Sequence, residues 1–365
     1  MDKIINKNKT IAVAMSGGVD SSVVAYMLKK EGYNIIGITM KHWGGEDSGD
    51  NNKTCCSLDD IYDAKRVCDD LGISHYVVNF EKEFKEEVVK YFIDDYINGN
   101  TPNPCVVCNR KIKLGKLVDF SKKIGADFLA TGHYAKVINE KLYMGDDVKK
   151  DQAYFLSQVK KDYFKSILFP IGNYNKTYVR ELAKELGVRV YAKKDSQEIC
   201  FVENDDYKKF LMNMTDGKIF KNGEIVTTKG EVVGKHKGTA FYTIGQRKGL
   251  GISYSKPLYV VDLDSKNNRV IVGDNEELFR NKLIAIKINL LGVEKIEELD
   301  NIYCNIKTRS RDILHRAKLK LIDENKIEAS FELGVRAITP GQLAVFYRED
   351  GLVLGSGFIE GGKSL

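Results

Sequence analysis

Apolar and polar positions follow two different periods along this chain, and the period changes near residue 215. Before that point, short apolar runs alternate with segments in which apolar residues recur every three or four positions, which predicts strands alternating with helices. The predicted strands are Thr10–Met15, Asn34–Met40, His75–Phe80, Asp127–Thr131 and Val188–Ala192. The predicted helices are Ser21–Glu31, a helix from the capping Ser57 to Gly72, Phe84–Tyr96, Leu114–Lys123 and Tyr178–Leu186. This order predicts a Rossmann-like α/β domain with a doubly wound parallel sheet, whose ligands bind beyond the carboxyl ends of the strands.

After residue 215, apolar and polar residues alternate over short segments that are separated by turns such as Asp350-Gly351, which predicts antiparallel strands. The predicted strands there are Leu258–Leu263, Arg269–Gly273, Tyr303–Arg309, Lys326–Phe331, Ala344–Tyr347 and Leu352–Gly355. We therefore expect a first domain over residues 1–214, a small mostly-β linking domain over 215–283 and an antiparallel β-barrel over 284–365. The polar, glycine-rich stretch Lys41–Thr54 is predicted to be a mobile loop.

The composition is that of a globular protein without a membrane span. Of the 365 residues, 43% are hydrophobic and 30% are charged, and no apolar run approaches the roughly 18 residues that cross a bilayer. The start of the chain is polar and rich in lysine, so we expect a cytoplasmic protein without a secretion signal. The cytoplasm keeps thiols reduced, which leaves the seven cysteines available for chemistry. The net charge of +6 is a weak indication of a polyanionic partner.

A glycine-rich segment joins the first predicted strand to the first predicted helix. Its residues are Ala14-Met15-Ser16-Gly17-Gly18-Val19-Asp20-Ser21. Glycines let a phosphate approach the backbone, the helix N-terminus supplies N–H groups, and Asp20 suits a Mg²⁺ ion that also binds the phosphates. The segment lacks the lysine of a Walker loop and the glycine spacing of a dinucleotide fingerprint, which excludes both of those sites. It predicts a different phosphate-binding loop, in preference to an ordinary Gly-Gly turn.

Three cysteines lie in segments that suit sulfur chemistry. Cys105 and Cys108 form a Cys-x-x-Cys pair in a loop that Pro102 and Pro104 stiffen, and the basic residues that follow favour the thiolate. No second Cys-x-x-Cys and no suitable histidine pair completes a zinc site. Cys200 lies where polar residues give way to apolar ones, and a buried core thiol is the alternative there. The other cysteines are interpreted as having no chemical role: Cys55, Cys56, Cys68 and Cys304.

The phosphate-loop string resembles that of the N-type ATP pyrophosphatases, and further strings narrow the resemblance. They follow in the order Pro102–Asn109, Ala130–Tyr134, Lys150–Leu156, Asp195–Cys200, Thr243–Gly251 and Pro340–Gln342. Together with the loop at Ser16–Ser21, they make the chain similar to the tRNA-specific 2-thiouridylase family over nearly its entire length.

This resemblance implies an ATP-dependent transferase. It adenylates the 2-oxygen of the wobble uridine in tRNAs for Lys, Glu and Gln and replaces that oxygen with sulfur, releasing AMP and pyrophosphate. Cys200 is implied to receive sulfur as a persulfide from a relay protein or a cysteine desulfurase. Cys108 is implied to be the nucleophile that releases the sulfur and closes a Cys108–Cys200 disulfide.

The resemblance also implies three groups of binding residues. ATP, with Mg²⁺ through Asp20, is expected to contact Ala14, Met15, Ser16, Gly17, Gly18, Val19, Asp20, Ser21, Met40 and Gly132. The target base is expected to face Asn103, Pro104 and Cys105. The tRNA is expected to contact His133, Lys150, Asp151, Gln152, Arg309, Ser310 and Gln342. The C-terminal barrel is expected to grip the anticodon arm.

Cys105 departs from the family pattern, because many members carry an aspartate at this position. The substitution adds a third thiol, so an alternative is that Cys105, Cys108 and Cys200 hold a [4Fe–4S] cluster with one open iron. Two other functions stay open. One is an ATP pyrophosphatase that adenylates a carboxylate or a small base, although the chain contains no recognisable glutaminase segment. The other is a non-catalytic RNA-binding or iron–sulfur carrier protein, which would not need the intact phosphate loop.

Overall fold

The computed structural model describes residues 6–44, 58–193, 199–217 and 219–360. All or part of the predicted loop Lys41–Thr54, the capping Ser57 and the Asp195–Cys200 motif lies outside the described residues. Contacts divide the chain into two units: Met1–Val89, Pro104–Asp205 and Asp350–Val353 form the first, and Lys90–Asn103, Asp206–Glu349 and Leu354–Leu365 form the second. The division into three domains at residues 214 and 283 stays a prediction.

A parallel sheet forms the centre of the first unit. The strands of this unit are β1 (Thr10–Ala14), β2 (Asn34–Lys41), β3 (His75–Asn79), β4 (Phe128–Ala130), β5 (Ala135–Ile138), β6 (Lys141–Met144) and β7 (Ile167–Leu168). The sheet has the order β3-β2-β1-β4-β7 and every neighbouring pair is parallel, whereas β5 and β6 form a separate antiparallel hairpin. This arrangement confirms the predicted doubly wound α/β fold.

Helices connect the strands of this sheet. They are α1 (Val19–Lys30), α2 (Leu58–Asp70), α3 (Glu81–Phe84), α5 (Pro104–Cys108), α6 (Leu117–Lys123), α7 (Ala153–Leu156) and α8 (Lys176–Glu185), whereas α4 (Lys90–Ile97), which follows α3 in the chain, belongs to the second unit. Wider helical turns at Lys85–Val89 and Asn109–Lys116 join α3 to α4 and α5 to α6. The apolar residues of α1 recur at helical spacing, so Val24 and Leu28 are buried in one core with Ile11 of β1 and Val179 of α8. That core fixes the N-terminus of α1 against the end of β1.

Two segments differ from the sequence prediction. The helix predicted over Leu114–Lys123 is α6, which begins at Leu117 because the backbone at Leu114 is not helical (φ −112°, ψ 16°). The prediction missed α5, which begins at Pro104, because proline is well tolerated in the first turn, where its missing N–H would have no helical partner. The predicted strand Val188–Ala192 is wrong. The Val188 amide instead donates to the Ala183 carbonyl at 2.9 Å, so its apolar side chain closes the end of α8.

The second unit is mostly antiparallel β-structure. It contains α9 (Tyr207–Met214) and a four-stranded sheet of order β10-β11-β8-β9, made by β8 (Gly223–Thr227), β9 (Val232–His236), β10 (Tyr259–Asp264) and β11 (Arg269–Gly273). The six strands of a closed barrel follow: β12 (Phe279–Leu290), β13 (Tyr303–Lys307), β14 (His315–Asp323), β15 (Lys326–Arg336), β16 (Leu343–Tyr347) and β17 (Val353–Ile359). The predicted C-terminal barrel is confirmed. No helix in the part of the chain that the structure describes is long and apolar enough to cross a membrane.

Candidate active site

The glycine-rich segment forms a tight turn between β1 and α1. Gly17 has a φ angle of +68°, and a Cβ atom there would come within 2.3 Å of the Asp60 carbonyl oxygen, so only glycine fits. The Ser16 amide donates to Ser21 Oγ at 3.2 Å, and the Ser22 hydroxyl donates to the Gly18 carbonyl at 2.8 Å. These bonds hold the first N–H groups of α1, which lack partners within the helix, at the end of β1. An anion is stabilised at such a position.

The Asp20 carboxylate is held by two residues from distant parts of the chain. Lys176 Nζ donates to both carboxylate oxygens at 2.8 Å, and the Tyr134 hydroxyl donates to Oδ1 at 2.8 Å. The Lys176 ammonium also lies 5.7 Å from the centre of the Tyr134 ring, within cation–π range. The side chains of Lys176 and Asp20 are only 11% and 28% exposed. The phosphate loop is therefore supported by a partly buried ion pair.

Gly132 and Met40 lie where the resemblance placed them, near the ends of the central strands. A Cβ atom on Gly132 would come within 2.9 Å of the Asp20 backbone and of the Ser21 nitrogen, so this turn rests directly on the phosphate loop. Met40 is the second-last residue of β2, and the Met15 amide donates to the Ile38 carbonyl of that strand at 2.8 Å. The structure thus brings the predicted ATP residues together at one edge of the sheet.

Lys193 makes a second contact to the same loop. Its Nζ donates to the Gly17 carbonyl at 3.0 Å, to Asp60 at 2.7 Å and to Asp63 at 2.8 Å. Desolvation lowers the pKa of Lys193, but the hydrogen bonds that it donates to the two carboxylates outweigh this effect and raise the pKa overall. The lysine therefore stays charged and ties the loop to the start of α2.

The Cys-x-x-Cys pair lies on the helical segment that begins at Pro104. Cys105 and Cys108 are three residues apart and therefore one turn apart on the same helix face. Cys105 is exposed, whereas Cys108 is buried with 5% of its surface accessible. Asn109 Nδ2 donates to the Phe155 carbonyl at 3.3 Å, which packs this segment against α7. The cysteine motif and the Lys150–Leu156 motif therefore form one local structure.

Cys200 is half-buried beside an aromatic cluster. Its neighbour Phe201 packs against Phe84 and Trp43, with ring centroids 5.6 Å and 5.8 Å apart. Cys200 Sγ lies 3.7 Å from Nε2 of His42, within the range of a hydrogen bond to sulfur. Burial, with a smaller contribution from Lys113, lowers the pKa of His42 to about 4, so the imidazole is neutral at pH 7. A neutral histidine therefore faces the thiol.

No three His, Cys, Asp or Glu side chains among the described residues are placed to hold one metal ion. The alternative [4Fe–4S] site at Cys105, Cys108 and Cys200 stays a prediction, because each cysteine of a cluster binds a different iron and the three sulfurs need not converge on one ion. Cys68 and Cys304 are buried, and desolvation raises the pKa of each to about 12, which keeps both thiols protonated. This agrees with their interpretation as core residues, whereas Cys55 and Cys56 lie outside the described residues.

Three of the residues predicted to contact tRNA in the first unit also have partners within that unit. Asp151 Oδ1 accepts from the Gly145 amide at 2.9 Å, and Gln152 Oε1 accepts from the Tyr134 amide at 2.9 Å. Gln152 thereby fixes the tyrosine that binds Asp20. His133 Nδ1 is 2.7 Å from Thr131 Oγ1, and desolvation together with Lys113 lowers its pKa.

Lys150 lies in a basic surface cleft next to this network. The cleft has a volume of about 510 Å³ and is lined by Lys150, Lys176, Thr177, Arg180, Glu181, Lys184 and Tyr191. Four positive side chains against one carboxylate favour an anionic ligand. Lys176 reaches from this cleft to Asp20, so the cleft adjoins the phosphate loop.

The predicted tRNA residues of the second unit also have internal partners. Arg309 donates to the carbonyls of Ile244 at 3.3 Å and Ala337 at 2.6 Å, and to the Thr339 hydroxyl. Gln342 Nε2 donates to the Thr101 carbonyl at 2.9 Å. The remaining predicted residues are the half-buried Ser310, in the turn after β13, and the buried Asn103, whose amide donates to the Tyr91 hydroxyl at 3.4 Å.

Comparison with known proteins identifies the family. Residues 9–204 match the model of the tRNA methyl transferase HUP domain, residues 208–274 that of the tRNA methyl transferase PRC-barrel domain, and residues 280–359 that of the aminomethyltransferase beta-barrel domain. The tRNA-specific 2-thiouridylase MnmA 1 of Fusobacterium nucleatum subsp. nucleatum is 56% identical over 97% of this chain and 94% of its own. The tRNA-specific 2-thiouridylase MnmA of Clostridioides difficile is 44% identical over 98% of this chain and 99% of its own. The chain belongs to the tRNA-specific 2-thiouridylase family.

This membership confirms the family that the motifs predicted. Among solved structures, a 4-thiouridine synthetase in complex with RNA and ATP aligns with 57% of this chain and 51% of its own, at 18% identity and a TM-score of 0.37. That similarity is too low to support an argument about function.

Several side chains of the site were absent from the sequence prediction. Lys176, Lys193 and His42 each make their contacts across more than 100 positions of the chain. Lys176 is the first residue of α8 and carries no motif of its own. Tyr134 belongs to the Ala130–Tyr134 string, so this 2-thiouridylase motif was a signal for it.

Proposed function

We propose that this protein is an ATP-dependent tRNA uridine 2-sulfurtransferase that replaces the 2-oxygen of the wobble uridine with sulfur. The observation that carries the proposal is the identity of 56% and 44%, over nearly the full chain, with proteins named tRNA-specific 2-thiouridylase. Two of the matching domain models are named after a tRNA methyl transferase, but the relatives that match over the full chain are named for thiolation, so we favour sulfur transfer.

The first step activates the uridine. A carbonyl oxygen is a poor leaving group, and adenylation by ATP converts it into AMP, which leaves readily. The loop at Ala14–Ser21 would bind the phosphates of ATP, with Met40 and Gly132 beside it. Its helix N-terminus and the nearby Lys176 supply the positive potential that a polyphosphate needs.

Asp20 fits a role as the protein ligand of Mg²⁺. Magnesium in nucleotide sites is ordinarily held by one or two carboxylates together with phosphate oxygens and water. The Asp20 side chain is 28% exposed, and its Oδ2 keeps a lone pair beyond the bond from Lys176, whereas Oδ1 accepts from both Lys176 and Tyr134. The ion would neutralise charge on the phosphates.

The second step delivers sulfur. Cys200 would carry it as a persulfide from a relay protein or a cysteine desulfurase, and the outer sulfur would attack C2 of the uridine as AMP leaves. Cys108 would then attack the inner sulfur and close a Cys108–Cys200 disulfide, releasing the 2-thiouridine. Cys105 would lie near the target base as an accessory thiol, with Asn103 and Pro104. We favour this persulfide route over a cluster because the Cys-x-x-Cys spacing brings together only two of the three thiolates that the cluster would need.

The tRNA would be bound through its anticodon arm. In the first unit, Lys150 and His133 are the candidate contacts, and the basic cleft suits a phosphate backbone. In the second unit, the candidate contact is the half-buried Ser310. Arg309, Gln342, Asp151 and Gln152 would act indirectly, because each supports backbone or side chains around the site. We also propose that the substrates are the tRNAs for Lys, Glu and Gln and that the protein is cytoplasmic.

The test is whether tRNA stimulates the conversion of ATP to AMP and pyrophosphate. We expect stimulation by wobble-uridine tRNA and its loss in Asp20→Ala, with tRNA affinity little changed. The matched control is Asp162→Ala, because the Asp162 side chain is 88% exposed and lies in an ion pair with Lys165. An enzyme whose AMP formation responds to a small carboxylic acid and not to tRNA would contradict the proposal.

A further inference from the structure

The contact between Cys200 and His42 links two residues that are 158 positions apart in the chain. His42 directly follows β2 and is 2% exposed, so its imidazole is fixed inside the first unit. Its Nε2 lies 3.7 Å from Cys200 Sγ. Its Nδ1 is buried without a hydrogen bond of good geometry to the described residues, although the Met40 backbone is near enough to act on the ring. Of the two ring nitrogens, Nε2 is therefore the one that contacts the Cys200 sulfur.

The same aromatic cluster positions both partners of this contact. Phe84 packs on the imidazole of His42, with ring centroids 4.7 Å apart, and on Phe201 with centroids 5.6 Å apart. Trp43, the residue after His42, packs on Phe201 at 5.8 Å. Phe201 is only 2% exposed and anchors the turn that carries Cys200. The distance from Nε2 to Sγ is thus set by packing on both sides.

The charges around His42 leave the imidazole neutral. Desolvation and the positive Lys113 lower its pKa, and the Met40 backbone and Glu81 raise it by less. Glu81 is itself paired with Lys41 at 3.0 Å, which weakens its effect on the ring. A neutral imidazole has one donor and one acceptor nitrogen, so Nε2 can accept the thiol proton or donate to the sulfur, depending on the tautomer.

Resting on the proposed function, we propose that His42 is a positioning residue for Cys200, which holds its sulfur in place and donates a hydrogen bond to it from Nε2 while sulfur is loaded. The Cys200 thiol releases its proton to solvent, and the thiolate attacks the outer sulfur of a persulfide-bearing donor. The S–S bond of the donor breaks as the new S–S bond forms, and the electron pair leaves on the donor thiolate. That thiolate takes up a proton from solvent. One sulfane sulfur has moved, and no outside oxidant is required.

The surroundings explain why Cys200 needs such a partner. An aromatic, poorly solvated site disfavours a thiolate, and a hydrogen bond from a neighbouring group restores part of its stability. A hydrogen bond to a charged group is worth roughly one to two pH units of thiol acidity.

The test is the pH dependence of Cys200 alkylation by iodoacetamide, followed by peptide mass spectrometry in the full-length protein. In His42→Phe, which keeps an aromatic ring in the cluster, we expect the midpoint to rise by about one pH unit or more. In His42→Gln, whose amide can also donate a hydrogen bond to the sulfur, we expect a smaller rise. His75→Phe is the matched control, since His75 contacts Thr39 at 2.8 Å, and its midpoint should equal that of the wild type.

An unchanged midpoint in either His42 variant, with a melting temperature showing that it is folded, would overturn the inference. If His42→Phe does not fold, His42→Gln decides alone. The assay needs no ATP, tRNA or sulfur donor. A raised midpoint in a protein that makes no 2-thiouridine would therefore refute the proposed function and leave the His42–Cys200 link standing. An unchanged midpoint in a His42 variant, when the wild-type protein does make 2-thiouridine, would refute the His42–Cys200 link and leave the proposed function standing.

Discussion

The ion pair between Lys176 and Asp20 gives a quantitative test of how the phosphate loop is supported. Lys176→Met keeps the aliphatic part of the side chain and removes the ammonium that donates to both Asp20 oxygens at 2.8 Å. Asp20 would then keep the Tyr134 hydroxyl and lose its charged partner. We expect lower stability and slower AMP formation, because the loop loses the group that orients its only carboxylate.

The size of the effect follows from the burial of the pair. Exposed ion pairs contribute about 0–1 kcal/mol, and breaking a fully buried pair costs about 3–5 kcal/mol. With 11% and 28% of the side chains of Lys176 and Asp20 exposed, this pair lies between those limits. We therefore expect Lys176→Met to lower the free energy of unfolding by about 2 kcal/mol. A similar loss in the transition state would slow AMP formation about tenfold or more.

The assay is a double-mutant cycle in urea unfolding with Lys176→Met, Asp20→Asn and the double variant. The loss of unfolding free energy in the double variant should be about 1–2 kcal/mol smaller than the sum of the losses in the two single variants, because either single change already breaks the pair. Lys165→Met is the matched control, since Lys165 and Asp162 are 60% and 88% exposed, and it should change stability by no more than about 0.5 kcal/mol. Additive losses for Lys176 and Asp20 would refute the reasoning.

Three further predictions concern other parts of the site. Gly132→Ala places a Cβ within 2.9 Å of Asp20 and Ser21, so it should weaken ATP binding about tenfold or more, as measured by calorimetry. An unchanged affinity for ATP would show that Gly132 does not determine the shape of the phosphate loop. Cys108→Ser and Cys200→Ser should each stop thiolation while AMP still forms, and a single turnover without reductant should yield a disulfide between them. Recovery of a disulfide from Cys105 to Cys108 would contradict that pairing. Arg309→Met should lower the free energy of unfolding by about 2 kcal/mol, because three hydrogen bonds are lost. A variant of unchanged stability that binds tRNA weakly would indicate that Arg309 contacts tRNA directly.

The parts of the fold that sequence could predict are those with local periodicity. The spacing of Val24 and Leu28 marks α1, and the alternating strands after residue 215 mark the barrel. The prediction failed at Val188–Ala192, because an apolar residue that closes a helix end has the same appearance as the start of a strand. It also missed α5, because Pro104 was interpreted only as a loop residue and not as the first residue of a helix.

The site could be predicted only where residues stand in contiguous motifs. The loop at Ser16–Ser21 and the cysteines 105, 108 and 200 were found in this way. Lys176 and His42 were not, because a single lysine or histidine has no local pattern and its role depends on a partner more than 150 positions away. Gln152 and Arg309, which the motifs predict as tRNA contacts, also make hydrogen bonds within their own units, and the motifs did not predict those internal bonds.

The most direct measurement is mass spectrometry of tRNA nucleosides after the protein is incubated with unmodified tRNA, ATP and a persulfide donor. The account predicts 2-thiouridine at the wobble position, with one AMP and one pyrophosphate formed for each sulfur incorporated, and no product when ATP is omitted. Formation of AMP without any thiolated nucleoside, or of a methylated nucleoside in place of 2-thiouridine, would contradict it.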